Sequence, residues 1–170
     1  MDENAPITVR PTTDADLPLL RLFFSGLAPR TRLLRFHTGM PRFPDRVLRE
    51  LGRHAPPRRV SLVAVTRHDL PVAHGMWVRD DKRLGEADLA LVVAENSKGR
   101  GVGGRMLAEL AATAAQNGVR DFTGLVLGDN RRAVGAVSAL GGRTRGGEFT
   151  LPVGAVTAAL CPRRDDGSAA

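Results

Sequence analysis

The residues most open to chemical reading are Ala90-Leu91-Val92-Val93-Ala94-Glu95-Asn96-Ser97-Lys98-Gly99-Arg100-Gly101-Val102-Gly103-Gly104-Arg105-Met106-Leu107. A run of small and β-branched residues feeds a glycine-rich turn, and the turn opens a helical pattern. Such a junction suits an anion. The first amides of a helix lack intrahelical acceptors, the macrodipole adds about half a positive charge, and glycines let a phosphate approach the backbone. Lys98, Arg100 and Arg105 strengthen the field. The same glycines would also serve a plain strand-to-helix turn. A nucleotide P-loop needs a Gly-Lys-Ser/Thr ending that is absent here, and a Rossmann fingerprint should open an early βαβ unit, so neither template fits.

Upstream lies a second group of interest. Asp88 falls within the apolar run Ala87 to Ala94, which reads as a strand buried on both faces. An unpaired charge there is costly, so the carboxylate is expected either to find an Arg or backbone partner or to work as a proton acceptor. Glu86 and Glu95 bracket the same strand as alternatives. His37, His54, His68 and His74 show no metal-ligand spacing and read as surface or packing residues, and no metal site is expected.

Elements that would position these groups follow from periodicity. Ile7 to Arg10 reads as a strand stopped by Pro11, with Thr12-Thr13-Asp14 capping a helix whose apolar stripe is Leu17, Leu20, Phe23, Phe24 and Leu27. Residues 30 to 59 carry nine arginines against Asp45 and Glu50, and suggest two short helices parted by Gly39-Met40-Pro41 and closed by Pro56-Pro57. Val60 to Thr66 and Val72 to Val78 read as a hairpin. After the glycine turn a helix should run to about Gln116, a strand from Phe122 to Leu127, a helix capped by Asp129-Asn130 to Gly141-Gly142, and a last strand at Phe149 to Leu151.

Composition bounds the answer. At 170 residues with 42% hydrophobic and 25% charged residues the chain suits one domain, and no apolar run approaches the roughly 20 residues of a membrane-spanning helix. Met1 to Pro6 lacks the basic and apolar parts of a secretory signal, so the cytoplasm is expected. The lone Cys161 excludes an intramolecular disulfide and a cysteine-cluster metal site. The formal charge of +7 is almost all arginine, which would attract anions or acidic proteins and equally reflects a solvated surface. No recognised DNA or RNA motif and no interleaved aromatics accompany it, which argues against nucleic acid as partner.

The glycine turn and its surroundings resemble the GNAT acetyltransferase superfamily, whose coenzyme A signature is Gln/Arg-x-x-Gly-x-Gly/Ala after a central strand. Here it reads Lys98-Gly99-Arg100-Gly101-Val102-Gly103. The opening Val9-Arg10-Pro11-Thr12 with Asp14 and Asp16, the helix Asn130-x-x-Ala133 and the terminal Gly141-Gly142 lie in the family's order. Lys98 stands where the family has Gln or Arg, and Gly142 where it has Phe. The resemblance spans about residues 7 to 152 and implies a single α/β GNAT-type domain over residues 1–155, followed by a mobile tail at 156–170. Its centre would be a mixed β-sheet of about six to seven strands flanked by about four helices.

The resemblance also implies roles. Main-chain groups of Leu91 and Val93 would pair with the pantetheine arm of acetyl-CoA, and the Gly99 to Gly104 turn, including Val102, would hold the pyrophosphate. Asn130 would bond the pantetheine beside Ala133, a role compatible with a plain helix cap. Leu22 to Leu27 followed by Thr31 to Phe36 is similar to the first helices of bacterial Pat-type protein lysine acetyltransferases, which often carry a Glu general base where Asp88 stands. Many members use a Tyr to protonate the leaving thiolate; this chain has none, and Val137 stands about there with Ser138 beside it. The implied activity is acetyl transfer to a primary amine of a protein lysine or small molecule, on a partner that includes acidic protein surfaces. The competing expectation is a catalytically weak sensor that binds CoA or acyl-CoA.

Overall fold

A computed structural model describes residues 6–38 and 43–160. Its strands are β1 (Thr8–Pro11), β2 (Arg59–Val65), β3 (Pro71–Arg79), β4 (Glu86–Val93), β5 (Asp121–Leu125), β6 (Arg143–Arg145) and β7 (Glu148–Pro152). The helices are α1 (Leu17–Gly26), α2 (Pro29–Phe36), α3 (Asp45–Gly52), α4 (Val102–Gln116), α5 (Arg131–Ala139) and α6 (Val153–Leu160), with 3-10 turns at Asp14–Asp16 and Glu95–Ser97. One sheet runs in the order β1-β2-β3-β4-β5-β7-β6. Every neighbouring pair is antiparallel except β4 and β5, whose connection crosses over through α4 as a parallel pair requires.

Alternation along β2 divides the core. Val60, Leu62 and Ala64 join a cluster with Trp77, Met106, Leu110, Phe122 and Leu151, while Val63 and Val65 point to Leu20, Phe24, Phe43 and Leu48 on the other face. α4 covers the first face and comes close at Gly75, where an added Cβ would meet Leu110 at 2.7 Å. Trp77 is fully buried there and its Nε1 donates to Thr113 Oγ1 at 3.0 Å. The second face is aromatic: Phe24 packs edge-on to Phe23, Phe36 and His74 at 5.2 to 5.5 Å between ring centres. Beside it, Asp16 pairs with Arg10 at 2.7 Å and accepts from Thr13 N at 2.8 Å, which ties β1 to the start of α1.

The expected mixed α/β sheet is present, with seven strands and, among the described residues, six helices where about four were expected. Other expectations are corrected, the first being that the folded chain continues past residue 155. Val153, Val156 and Leu160 recur at helical spacing, Val153 and Val156 are buried, and α6 packs on α4. Residues 161–170 of the expected tail lie outside the described residues. β6, which the sequence pattern did not suggest, is a short exposed edge strand rich in arginine, so it carries no apolar alternation to read. β4 is not buried on both faces. Only Ala87 and Val92 are fully buried in it, because the strand parts from β5 halfway along. The strands that do lie inside are β2 and β3.

Candidate functional site

β4 and β5 are paired only from Glu86↔Asp121 to Asp88↔Thr123. Beyond that point their ends separate and the sheet splits into a wedge. The direction of the free backbone follows from pairing on the other side: Ala94 N donates to Val72 O of the β3 side at 2.8 Å, so by alternation Leu91 and Val93 turn their N–H and C=O groups into the wedge. These groups form a short row of unpaired ladder positions.

The wedge holds two connected cavities. The larger, about 990 Å³, runs from the glycine turn past Leu91 and Val93 to α5. The smaller, about 420 Å³, lies farther up β4 between Asp88, Gly124 and Phe149. Leu34, Arg35, Leu91, Leu107, Asn130 and Ala133 border both, so the two are one cleft with a waist.

At the lower end, Gly99 and Gly101 have φ of +81° and +76°, a region that disfavours side chains, and Gly101 is the N-cap of α4. A Cβ on Gly99, Gly101 or Gly104 would meet nothing within 4 Å. The surface of the turn is therefore open. Arg105 N makes an α4 bond to Gly101 O at 3.0 Å, which leaves the amides of Val102, Gly103 and Gly104 ahead of it without intrahelical acceptors. Free amides, open space and a helix N-terminus fit a pyrophosphate, and the free edge of β4 fits an amide-bearing arm beside it.

The cationic residues of the turn behave differently from expectation. Lys98 borders the larger cavity, yet its Nζ donates to Thr31 Oγ1 at 2.7 Å and lies 3.5 Å from Glu95, so it fastens α2 to the turn. Glu95 is held below its ordinary pKa by Thr31, its own and Ala28's backbone amides and Lys98, against burial. It is thus a structural carboxylate at the turn. Arg105 donates to Ile7 O, and Arg100 is exposed without bordering either cavity. Instead Arg30, Arg131 and Arg132 line the cavity, with Arg30 and Asp129 paired at 3.1 Å.

Asn130 caps α5, its Oδ1 accepting from Ala133 N at 3.2 Å, and borders both cavities. Its Nδ2 is the group left for a ligand. Asp88 is corrected in its surroundings: it is exposed at the smaller cavity, where Thr123 Oγ1 donates to Oδ1 at 3.2 Å. Its side chain leaves the apolar core because β4 is at that point the lip of the wedge. Glu86 borders neither cavity and its Oε2 lies 2.9 Å from Arg83, though the pair lacks hydrogen-bond geometry. Val137 borders the smaller cavity, whereas Ser138 is exposed elsewhere.

The arginine-rich segment divides. Arg58 and Arg59 pair with Asp81 and Glu50, while Arg30 and Arg35 of α2 reach the cleft. Arg35 had no local signature in the sequence. Only the apposition of α2 to β4 brings it to the cavity that Asp88 also borders. Below it, His74 is fully buried, with Nε2 at 3.0 Å from Ser61 Oγ and 3.1 Å from Leu51 O. Burial, reinforced by the Arg35 charge and opposed by the Leu51 carbonyl, pushes its pKa down to about 3.

No protein-family model matches the chain. Among solved structures, the GNAT domain of S. lividans PAT matches with a TM-score of 0.77 and 26% identity over 85% of this chain and 88% of that one. A GCN5-related N-acetyltransferase from Kribbella flavida matches at TM-score 0.71 and 22% identity, covering 86% of this chain and 97% of that one. Spermidine N-acetyltransferase from Vibrio cholerae, in complex with CoA and spermine, matches at 0.70 and 12%, covering 88% and 97%. The chain has the GNAT fold. Among the described residues no group of three or more His, Cys, Asp or Glu could hold a metal, and no helix is long and apolar enough to cross a membrane.

Proposed function

We propose that this protein is an acetyl-CoA-dependent N-acetyltransferase of the cytoplasm acting on a primary amine, of a protein lysine or a small molecule. The observation that carries the reading is the continuous path along β4, from the open amides of the glycine turn, past the free main-chain groups of Leu91 and Val93, to the Asp88 carboxylate. A diphosphate at the turn and an amide-bearing arm along the strand would bring a thioester to the waist of the cleft.

An alkylammonium, near its reference pKa of about 10.4, must lose a proton before it can attack. Asp88, or a water it orders, accepts that proton. The amine nitrogen then bonds to the thioester carbonyl carbon and gives its second proton to solvent water, the carbon–sulfur bond breaks, and the thiolate leaves with the bonding pair. Main-chain donors beside Leu91 polarise the carbonyl. Since Val137 borders the cleft where a phenol would serve, the thiolate is protonated from solvent; a thiol's reference pKa of about 8.5 makes an assisting acid dispensable.

The absence of Tyr also supports a second reading, a CoA-binding sensor without turnover. Isothermal titration with acetyl-CoA, CoA and ATP at matched ionic strength, followed by thiol-release assays on peptides and small amines, separates these. One-site binding of both CoA species but not ATP, with thiol release, is the expected result. Binding without release from any amine selects the sensor, and equal salt-sensitive binding of all three anions removes both readings.

A further inference from the structure

Arg35 stands apart from the other cations at the cleft by its burial, since Arg30, Lys98, Arg131 and Arg132 are exposed. It is half-buried, its guanidinium carbon lies 4.7 Å over the Phe36 ring, and its buried Nε has no hydrogen-bond partner. Arg30, Arg53, Arg58 and Arg59 of the same segment each pair with a carboxylate, whereas Arg35 has no ion pair among the described residues. Burial pushes its pKa down to about 10, without any acidic neighbour to offset it. A buried cation without a counter-ion is costly, and a bound anion would complete the pair.

Position separates that anion from the diphosphate. Thr31 meets Lys98 of the glycine turn, and Arg35 lies four residues farther along α2, about 6 Å away along the helix axis. Asp88 is displaced in the same direction, three residues and about 10 Å up β4 from Leu91. Asp88 borders the smaller cavity alone and Arg35 stands at the waist, bordering both cavities away from the glycine turn; the other walls of the smaller one are mainly apolar, among them Leu89, Val126, Val137 and Leu151. A cavity of about 420 Å³ has the dimensions of a small molecule.

We infer that the smaller cavity takes a free amino acid with an apolar side chain, its carboxylate on Arg35 and its amine on Asp88, and this rests on the acetyltransferase reading above. The guanidinium supplies parallel N–H donors suited to a carboxylate. A polyamine would bring a second cation against Arg35, and a lysine within a protein would leave the guanidinium without an anion. The charge pair sets the acceptor's head, and the apolar walls select its side chain.

The test is thiol release at saturating acetyl-CoA with leucine, methionine and phenylalanine, each beside its amide, and with a lysine-containing peptide and spermidine. Amide capping removes the carboxylate and lowers amine basicity, so reactivity alone favours the amide. At least one free amino acid is expected to exceed its amide in kcat/KM by about tenfold or more. Arg35→Met should then reduce that ratio by about tenfold, through KM for the acid, with Kd for acetyl-CoA kept, and Arg35→Lys should restore part of it. Melting curves identify any variant that fails to fold, in which case Arg35→Lys decides. No amino acid exceeding its amide, an equal loss on acid and amide, or a weakened acetyl-CoA Kd overturns the proposal. Turnover of peptide or spermidine alone would do so while leaving the acetyltransferase reading intact. Acetyl-CoA binding without any turnover would remove both.

Discussion

The two ends of the cleft are built from different material. The larger cavity runs along backbone, the amides of a glycine turn and the unpaired edge of β4, with positive φ angles at Gly99 and Gly101 and the side chains of Arg30, Arg131 and Arg132 around it. The smaller presents side chains, Asp88 from a strand and Arg35 from a helix, among apolar walls. Backbone recognition follows from topology and tolerates changes of side chain. Side-chain recognition depends on which residue each packed element happens to place there. One scaffold can therefore keep one end of the cleft while the other varies.

The sharpest way to break that comparison is Asp88→Asn, which keeps shape and removes the carboxylate proposed to accept the proton. Turnover should fall by about 10² to 10⁴ while acetyl-CoA affinity stays within about twofold, read by thiol release beside titration calorimetry. A parallel loss of affinity would show that the two ends are not separable.

Next in size is a pH effect on the support under α2. Unfolded His74 binds a proton near pH 6.5, whereas the native ring, buried under Arg35, resists protonation down to about 3. The unfolded state therefore holds more protons between these values, and stability falls as pH drops through that window. About 2 kcal/mol should be lost between pH 7 and pH 5 in urea unfolding, with the slope flattened in His74→Gln. Asp16 acts lower: Arg10 first, then Thr13, hold it at about 2 against burial, so its contribution is present above about 3.8 and is lost between 3.8 and 2. A slope that survives His74→Gln unchanged above pH 5 would exclude this origin.

The smallest expected effect belongs to the backbone end. Gly101→Val puts a branched side chain at φ +76°, at a cost of roughly 1 to 2 kcal/mol, with open space around it. Acetyl-CoA Kd should weaken about tenfold with the acceptor's KM unaltered. Unchanged binding would mean that the turn has no part in holding the donor.

The glycine turn was legible because its cause is local. Closely spaced glycines between an apolar run and an amphipathic helix encode positive φ and free amides wherever the segment lies. The helix cap at Asn130 is local in the same sense, and Oδ1 does accept from Ala133 N. α6 is not legible because Val153, Val156 and Leu160 follow β7 without an intervening turn signal, so residues from 156 onward read as tail.

What sequence alone determined about this protein is the order of its elements apart from β6 and α6, and the open, glycine-built geometry of one turn, both set by neighbours along the chain. What tertiary structure decided is where β4 leaves β5 and which side chains meet there. Asp88 is exposed only because the sheet splits beside it, and Arg35, 53 positions away in sequence, lines the same cavity only because α2 packs on β4. Strand separation and helix apposition depend on contacts between distant residues, which no local pattern records.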